Sequence, residues 1–588
     1  MVSEKLRKKL ITLWKVLSFV YSKYTYQAVS RDLLCIVAAF GEIASITFFG
    51  KFIDTTTKIF LEWESFNLTE YMKSDSFFYL LLVLLLWVVF LITTQARAYL
   101  YDSITEKITK DSQIMMISKV ASSNMQDVEK EDYQDMITYA PTFSVNKIAP
   151  VYDYFSVVIS DSIRLTSALA IIFSTMGCSV VFILLIILPE TLVVHIKRRK
   201  IRKYQDESVG KLKFLSYIQN LALGISNFLE LRVNNIFSYL KRKHSSEYDE
   251  YQKGYLENLS NFYMDKTATS VVGQTLKFAY VLYVLAVSIV KKISFGTFKA
   301  LYDYVDVAYN SIYNILNSIS LVSINLGYID KFFDLIEYDC FGDRYHGEKK
   351  LKNKTPLLEF KKLTFAYPDD PMTTVLKNLN ISVEPGEKVA FLGGDGSGKS
   401  TVVKILTGLY TVEKGEYLLD GIPTKDLDRG ELKKKVSVIF QDYINYNFSV
   451  KENVVISGQR INVDSELYEK VIKISGVEKF KKKVKIDDSS ILGKIFPSGK
   501  DLSPGYWQQL AIARMLYRNR NIFVMDEPFT HIDDISAGKI LENIFKFVGD
   551  DRSVIYITRR TKFLNRFDKV YHFENGKIVE NGKWSDKK

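Results

Sequence analysis

Six stretches rich in Leu, Ile, Val and Phe lie within residues 33–326, at 33–52, 76–96, 154–174, 179–196, 268–290 and 297–326. Each approaches the roughly 20 mostly apolar residues that a helix rising 1.5 Å per residue needs to cross about 30 Å of hydrocarbon. In that solvent a backbone must satisfy its own N–H and C=O groups, so residues 1–336 are predicted to form an all-α transmembrane domain of six helices. Past residue 355 the pattern changes to short apolar runs alternating with helical segments, the pattern of an α/β domain. A chain of 588 residues also exceeds what one hydrophobic core commonly supports. The expected organisation is therefore multidomain: spans over 1–336, a charged linker over 337–355, and an α/β domain over 356–588.

The connections between spans are uneven. Those joining the first to second, third to fourth and fifth to sixth spans are short, so the two long ones share one side. Arg97 follows the second span and Lys197-Arg198-Arg199-Lys200 follows the fourth, and the bias of positive charge toward the inside puts both long connections in the cytoplasm. Lys291-Lys292, in the last outer loop, runs against that bias. The net charge of +12 is spread beside apolar segments, as at a cytoplasmic membrane face, so no nucleic-acid partner is expected. The opening Lys5-Leu6-Arg7-Lys8-Lys9 and the apolar run after it lack a small-residue cleavage site and are broken by Lys15, which predicts an amphipathic helix on the membrane surface rather than a secretory signal. Cys35, Cys178 and Cys340 are too far apart for a zinc or disulfide spacing.

Charged residues inside the spans, Glu42, Asp161, Arg164 and Lys277 among them, are costly in lipid and are expected to face protein or water, or to mark helix ends. In the sixth span Asp303, Asp306, Asn310, Tyr313 and Asn317 recur at steps of three and four and form one polar stripe, opposite Leu301, Val305, Ala308, Ile312 and Leu316. Such a stripe either lines a substrate path or pairs with polar groups of neighbouring helices. As a path, its carboxylates would favour a cationic substrate.

In the α/β domain, the apolar run Val389-Ala390-Phe391-Leu392 precedes Gly393-Gly394-Asp395-Gly396-Ser397-Gly398-Lys399-Ser400-Thr401 and a helical segment. Strand, glycine-rich turn and helix make a phosphate-binding loop: backbone N–H groups and the helix N-terminus point at phosphate oxygens, Lys399 neutralises their charge, and Ser400 ligates Mg²⁺. A chance glycine turn is the competing reading, and the strand before and helix after it argue against that. Downstream, Ile522-Phe523-Val524-Met525 ends in Asp526-Glu527, two carboxylates at the tip of a buried strand. An acidic pair there is commonly a solvated turn; beside a phosphate loop it reads as one group for Mg²⁺ and one for a nucleophilic water, because a metal-bound carboxylate is a poor base.

Leu502-Ser503-Pro504-Gly505-Tyr506-Trp507-Gln508-Gln509, followed by Leu510-Ala511-Ile512-Ala513-Arg514, resembles the signature segment of ATP-binding cassette (ABC) transporters. The order of six spans and one nucleotide-binding domain resembles an ABC exporter half-transporter, with no peptidase domain expected ahead of the spans. The resemblance implies a multi-pass protein of a bacterial plasma membrane with its P-loop domain in the cytoplasm, acting with a second half-transporter and using ATP and Mg²⁺. ATP would lie between the phosphate loop of one protomer and Ser503 and Gly505 of the other. The resemblance assigns adenine stacking to Tyr367 and, to Gln441, the loop sensing Mg²⁺ and the membrane domain; Ser400, Gln441 and Asp526 are the expected metal ligands, and Glu527, Gln441 and Arg559, the last at the switch position, the expected catalytic residues. Glu131-Asp132-Tyr133-Gln134-Asp135 and Phe228-Leu229-Glu230-Leu231-Arg232 are similar to segments near the coupling helices of peptide exporters, and Gly505-Tyr506-Trp507-Gln508 to the Gly-Gln-Trp-Gln of lantibiotic exporters. These favour a peptide substrate over a drug or lipid, with an importer of the same architecture as a further alternative.

The pattern is broken at three places. Pro504 stands where the family has glycine and removes one N–H; Arg559 stands where it has histidine, a donor-only group for one that also accepts; and Phe529-Thr530-His531-Ile532 departs from the usual loop, although Asp533 is kept. Slow turnover is expected from these departures, and a heterodimer with a more regular partner or a nucleotide-gated regulatory half are the alternatives to a homodimeric exporter.

Overall fold

The computed structural model describes residues 2–224, 227–340, 347–428, 430–458 and 462–584; residues 341–346 of the predicted linker lie outside them. Two compact units are present, Met1–Lys119 with Asp135–Tyr338, and Val120–Gln134 with Asp339–Lys588.

The first unit is helical. Its long elements are α1 Val2–Lys23, α2 Thr25–Glu62, α3 Asp75–Ser122, α4 Val145–Met176, α5 Val181–Glu207, α6 Phe237–Val290 and α7 Phe295–Ile336. Five helical stretches among the described residues are long and apolar enough to cross a membrane; the one over Glu131–Gln205 holds two of the predicted runs, in α4 and α5, which part at Gly177 with φ +63°. Each predicted run thus falls in its own helix, but α3 (48 residues) and α6 (54 residues) far outlast their apolar middles. Hydropathy marks only the lipid-facing part, whereas the backbone ladder continues into water for as long as helix-forming residues follow.

The core of this unit joins α2, α4, α5, α6 and α7 around Ile43, Ile172, Ile187, Val284, Leu301, Val305 and Ala308. The apolar side of the sixth span is indeed the buried one. Its polar stripe is compensated in place: Asp303 accepts from Lys299 at 2.5 Å, Asp306 pairs with Lys277, and Asn317 accepts from Arg198 at 2.5 Å. Both carboxylates of the stripe therefore carry a partner cation, as carboxylates within a span require. Arg164 similarly joins Glu42 and Asp161, each at 2.7 Å.

One face of α1 is buried at Val16 and Val20, with Thr12 donating to Asp330 and Lys9 to Ser323 of α7, both at 2.5 Å; Leu10, Ile11 and Trp14 remain exposed. The amphipathic N-terminal helix is anchored to α7 as well as presenting an apolar face outward. Where α2 and α7 cross, Gly50 and Gly296 face each other, and a Cβ on Gly296 would lie 2.0 Å from the Gly50 carbonyl oxygen. Asp54 holds the crossing by accepting from the Ser294 hydroxyl and the Gly296 N–H, each at 2.7 Å.

The second unit contains two sheets. A four-stranded antiparallel one has the order β2-β1-β4-β5, from β1 Leu358–Ala366, β2 Thr374–Val383, β4 Lys414–Leu419 and β5 Ile422–Pro423. The six-stranded one has the order β10-β9-β3-β8-β7-β6, with β3 Lys388–Gly393, β6 Val436–Ile439, β7 Ile522–Asp526, β8 Ser553–Thr558, β9 Lys569–Glu574 and β10 Lys577–Gly582. Its strands β6, β7, β8, β3 and β9 are parallel, and β7 and β8 are buried along their whole length, which is why they read as unbroken apolar runs. Helices α8 Lys399–Leu406, α9 Pro504–Arg518 and α10 Asp534–Val548 pack with them.

This unit also takes in residues 120–134, which the sequence placed with the spans. Met125 packs on the sheet core, Thr411 donates to Gln126 at 3.0 Å, and the Tyr410 hydroxyl donates to Glu129. These contacts are far apart in sequence and leave no local signal.

The Gly50–Gly296 approach leaves no room for a side chain. Gly296→Val is expected to destabilise the helical unit by about 1–3 kcal/mol, the range for overpacked cores, read as a lowered unfolding temperature of the protein in detergent.

Candidate functional site

Parallel pairing sets the site. Leu392 of β3 lies opposite Thr558 of β8, Asp526 of β7 opposite Ile557 of β8, and Ile439 of β6 opposite Met525 of β7. The carboxyl ends of four adjacent strands therefore reach one edge of the sheet, where open α/β sheets bind ligands. There β3 leads into Gly393–Thr401, β7 into Glu527, β8 into Arg559 and β6 toward Gln441.

The loop after β3 has a backbone that requires glycine. Gly396 and Gly398 have φ of +73° and +99°, and a Cβ on Gly398 would lie 2.6 Å from Leu376 Cδ2. On Gly394 or Gly396 a Cβ would meet nothing within 4 Å, so the loop is open on that side. Lys399 is 6% exposed, and its ammonium donates to the Gly394 carbonyl at 2.6 Å and Ser397 Oγ at 3.1 Å. Burial pushes its pKa down, against the opposing pull of Glu527, Asp395 and Asp526. A buried cation beside an open, donor-lined turn at the start of α8 fits a phosphate chain. Ser400 is exposed at the first turn, while the Thr401 hydroxyl is engaged with the Tyr367 hydroxyl at 2.9 Å. Tyr367 is packed edge-on by Phe365 and Tyr410 and lies under the Lys404 ammonium, 5.2 Å from the ring centre.

Asp526 is 4% exposed, and burial followed by the charge of Glu527 raises its pKa to about 6, with Lys399 opposing. Glu527 sits at φ +45°, in the left-handed region, with its N–H donating to the Ile557 carbonyl at 3.1 Å. Arg559 chelates its carboxylate, Nε to Oε1 at 2.7 Å and Nη2 to Oε2 at 2.9 Å, and also reaches Asp395 Oδ2 at 3.0 Å. The donor-only residue at the expected histidine position thus binds both the carboxylate after β7 and the phosphate loop. A cavity of about 320 Å³ opens beside Glu527 and Arg559. Gln441 is exposed; its neighbour Asp442 is close enough to raise the Asp526 pKa. A buried carboxylate is a hard oxygen donor of the kind Mg²⁺ takes.

Ser503 is the N-cap residue of α9 and Pro504 its first helical residue. Proline is accommodated there because that N–H has no partner inside the helix in any case, so the break in the signature leaves the helix intact. A Cβ on Gly505 would lie 2.7 Å from the His531 carbonyl oxygen. Among the described residues neither Ser503 nor Gly505 is hydrogen-bonded to Lys399, Asp526 or Glu527. Tyr506 stacks on Phe480 with ring centres 4.7 Å apart, and Trp507 is in the core.

Two residues of the signature segment to which the sequence reading gave no individual role have supporting contacts here. Gln508, 2% exposed, donates through Nε2 to the Glu527 carbonyl at 3.2 Å and accepts from the His531 N–H at 2.8 Å, tying α9 to the turn that carries Glu527. Arg514 donates to the carbonyls of Asn453 at 2.9 Å and Ile444 at 3.1 Å while lying over Tyr446. Nothing about a Gln or Arg on a helix announces such partners, which lie far away in sequence.

With this geometry in view, residues 376–530 match the ABC transporter family model, so the second unit carries an ABC transporter nucleotide-binding domain. The chain as a whole has the fold of an ABC exporter: it superposes on a bacterial Atm1-family ABC exporter with ATP bound at a TM-score of 0.75, covering 96% of this chain and 95% of that one at 16% identity. Its helical unit carries five stretches, among the described residues, long and apolar enough to cross a membrane. Among its relatives is the subtilin transport ATP-binding protein SpaT of Bacillus subtilis, 29% identical over 63% of this chain and 60% of that protein. The nisin transport ATP-binding protein NisT of Lactococcus lactis subsp. lactis is 24% identical over 85% of this chain and 84% of its own length. The alpha-hemolysin translocation ATP-binding protein HlyB of Escherichia coli is 33% identical over 41% of this chain and 33% of its own length. The match to the subtilin and hemolysin proteins thus covers less than two thirds of each.

A carboxylate ligates a metal only when ionised, and Asp526 is the carboxylate assigned to Mg²⁺ in the reading proposed below. The gain in nucleotide affinity conferred by Mg²⁺ is therefore expected to be level above the pKa of about 6 and to fall roughly tenfold per pH unit below it, checked by ATP titration with and without Mg²⁺ across that range.

Proposed function

We propose that this chain is a half-transporter that exports a peptide, of the bacteriocin or lantibiotic kind, across a bacterial plasma membrane at the expense of ATP, with its nucleotide-binding unit in the cytoplasm. The observation that carries the reading is the meeting of the phosphate loop with Lys399, the Asp526-Glu527 pair and Arg559 at one edge of a parallel sheet. What supports peptide as cargo is the likeness to subtilin and nisin transport proteins.

In this reading Gly393, Gly394, Asp395, Gly396, Ser397 and Gly398 surround the phosphates, Lys399 neutralises them, and Tyr367 stacks on adenine. Ser400, Gln441 and Asp526 hold Mg²⁺, which supplies Lewis-acid polarisation of the phosphate oxygens. Glu527 accepts the proton of the attacking water, and Arg559 turns its donors toward the transferred phosphoryl group. Ser503 and Gly505 serve the nucleotide of a partner protomer, so two half-transporters close around ATP. The partner is a second copy or a more regular ABC subunit.

Slow turnover follows from the chelation of Glu527 by Arg559, since both carboxylate oxygens are engaged and must be released before either accepts a proton. Reconstituted protein is expected to hydrolyse ATP slowly and to move labelled lantibiotic into inside-out vesicles, with both signals lost in Glu527→Gln. Turnover no higher than in that variant would reduce the chain to a nucleotide-gated regulatory half. Lys399→Ala is expected to weaken ATP binding by at least about tenfold, the loss of one charge-assisted phosphate contact, measured with a fluorescent nucleotide.

A further inference from the structure

A cavity of about 340 Å³ lies in the helical unit among α2, α3, α4 and α7, and three arginines from three different helices line it: Arg31, Arg97 and Arg164. Arg164 is ion-paired with Glu42 and Asp161, each at 2.7 Å. Arg31 is 6% exposed and pairs with Asp153 through Nη2, between the rings of Tyr101 and Tyr152, yet its Nε and Nη1 have no hydrogen-bond partner. Arg97 donates to Thr94 Oγ1 at 3.2 Å and approaches Cys35 Sγ at 3.9 Å; its Nε is buried without a partner, and among the described residues it has no carboxylate partner. The nearby Asp32 carboxylate is held by the hydroxyls of Tyr21, Tyr152 and Ser156. Unfilled guanidinium N–H groups in a water-poor wall are costly, and an acceptor that takes two of them at once removes that cost.

The position of the cavity says what kind of acceptor. Arg31 stands two residues before the first apolar run, Arg97 directly after the second, and Asp153 directly before the third, so Arg31 and Arg97, unlike Arg164 within the third run, mark the polar boundary of the membrane on the side where basic residues collect. Phospholipid phosphates lie at that level. The face of α3 that lines the cavity, Thr94, Arg97 and Tyr101, continues into the membrane at steps of three and four as Leu91, Phe90 and Trp87, which are 62%, 40% and 62% exposed. Polar donors at one end of a helical face and an open apolar strip at the other match an amphiphile, and a small anion in water would have no use for the strip.

We propose that this cavity binds the phosphodiester headgroup of an anionic phospholipid, with Arg97 and Arg31 as its donors and the acyl chain lying along Leu91, Phe90 and Trp87. The inference rests on the reading of the helical unit as membrane-spanning, and it is independent of the cargo.

Trp87 is a built-in reporter. The full chain is reconstituted in phosphatidylcholine vesicles containing either brominated phosphatidylglycerol or brominated phosphatidylcholine, and the Trp87 signal is taken as the difference between wild type and Trp87→Phe. The brominated phosphatidylglycerol is expected to quench Trp87 at about fivefold lower mole fraction, the effect of one basic residue on an anionic headgroup. Arg97→Gln is expected to bring that ratio to about one, and Arg97→Lys to retain it. Equal quenching by the two lipids in the wild-type chain overturns the proposal without recourse to any variant. A ratio unchanged in Arg97→Gln overturns it too, as does displacement of the brominated lipid by a soluble acidic peptide, which would give the cavity to a cargo carboxylate. Absence of quenching by either lipid would instead reject the membrane placement on which the inference rests.

Discussion

Parallel pairing of β3, β8 and β7 is the constraint on which the chemistry of this protein depends. In a parallel sheet every strand delivers its carboxyl end to the same edge, so residues more than a hundred positions apart in sequence are brought within hydrogen-bonding distance. The loop from Gly393 to Lys399, the Asp526-Glu527 pair and Arg559 meet for that reason. Register then refines the meeting: Asp526 lies opposite Ile557, whose carbonyl holds the Glu527 N–H and fixes that residue at φ +45°. The side chain is thereby turned toward Arg559 instead of continuing the strand.

The same rule of compensation recurs in the helical unit, in a poorer solvent. Where water is absent a charge must find a partner, and Lys277 with Asp306, Lys299 with Asp303, and Arg164 with Glu42 and Asp161 follow that rule. Arg97 stands out because it keeps an unfilled donor beside a cavity and has no carboxylate partner among the described residues, and Arg31 because both its Nε and Nη1 are left unfilled there. An exception of this sort carries more functional information than the satisfied pairs around it, which hold helices together.

The departures from the usual ABC pattern have unequal consequences. Pro504 falls at the first position of α9, where a missing N–H costs nothing inside the helix, and Gln508 four residues on still ties α9 to the Glu527 turn. Arg559 is different in kind: a guanidinium offers a rigid fork that fits a carboxylate at both oxygens, and Glu527 occupies it. One substitution is absorbed by helix geometry, and the other rewires the neighbourhood of the hydrolytic carboxylate.

Much of the fold and of the candidate site was legible in the residues themselves. Runs long enough to span a bilayer announce helices because the backbone has no other way to satisfy its polar groups there, and the glycines before Lys399 announce a phosphate loop because only glycine takes up the φ of Gly396 and Gly398. Both signals are local, written in consecutive residues. What only the tertiary structure decided is who meets whom: Lys277 on Asp306, Arg559 on Glu527 and Asp395, Gln508 on the Glu527 carbonyl, and residues 120–134 folded with the nucleotide-binding unit. Those partners are distant along the chain, and pairing energies between distant residues depend on distances in space that no spacing in sequence encodes.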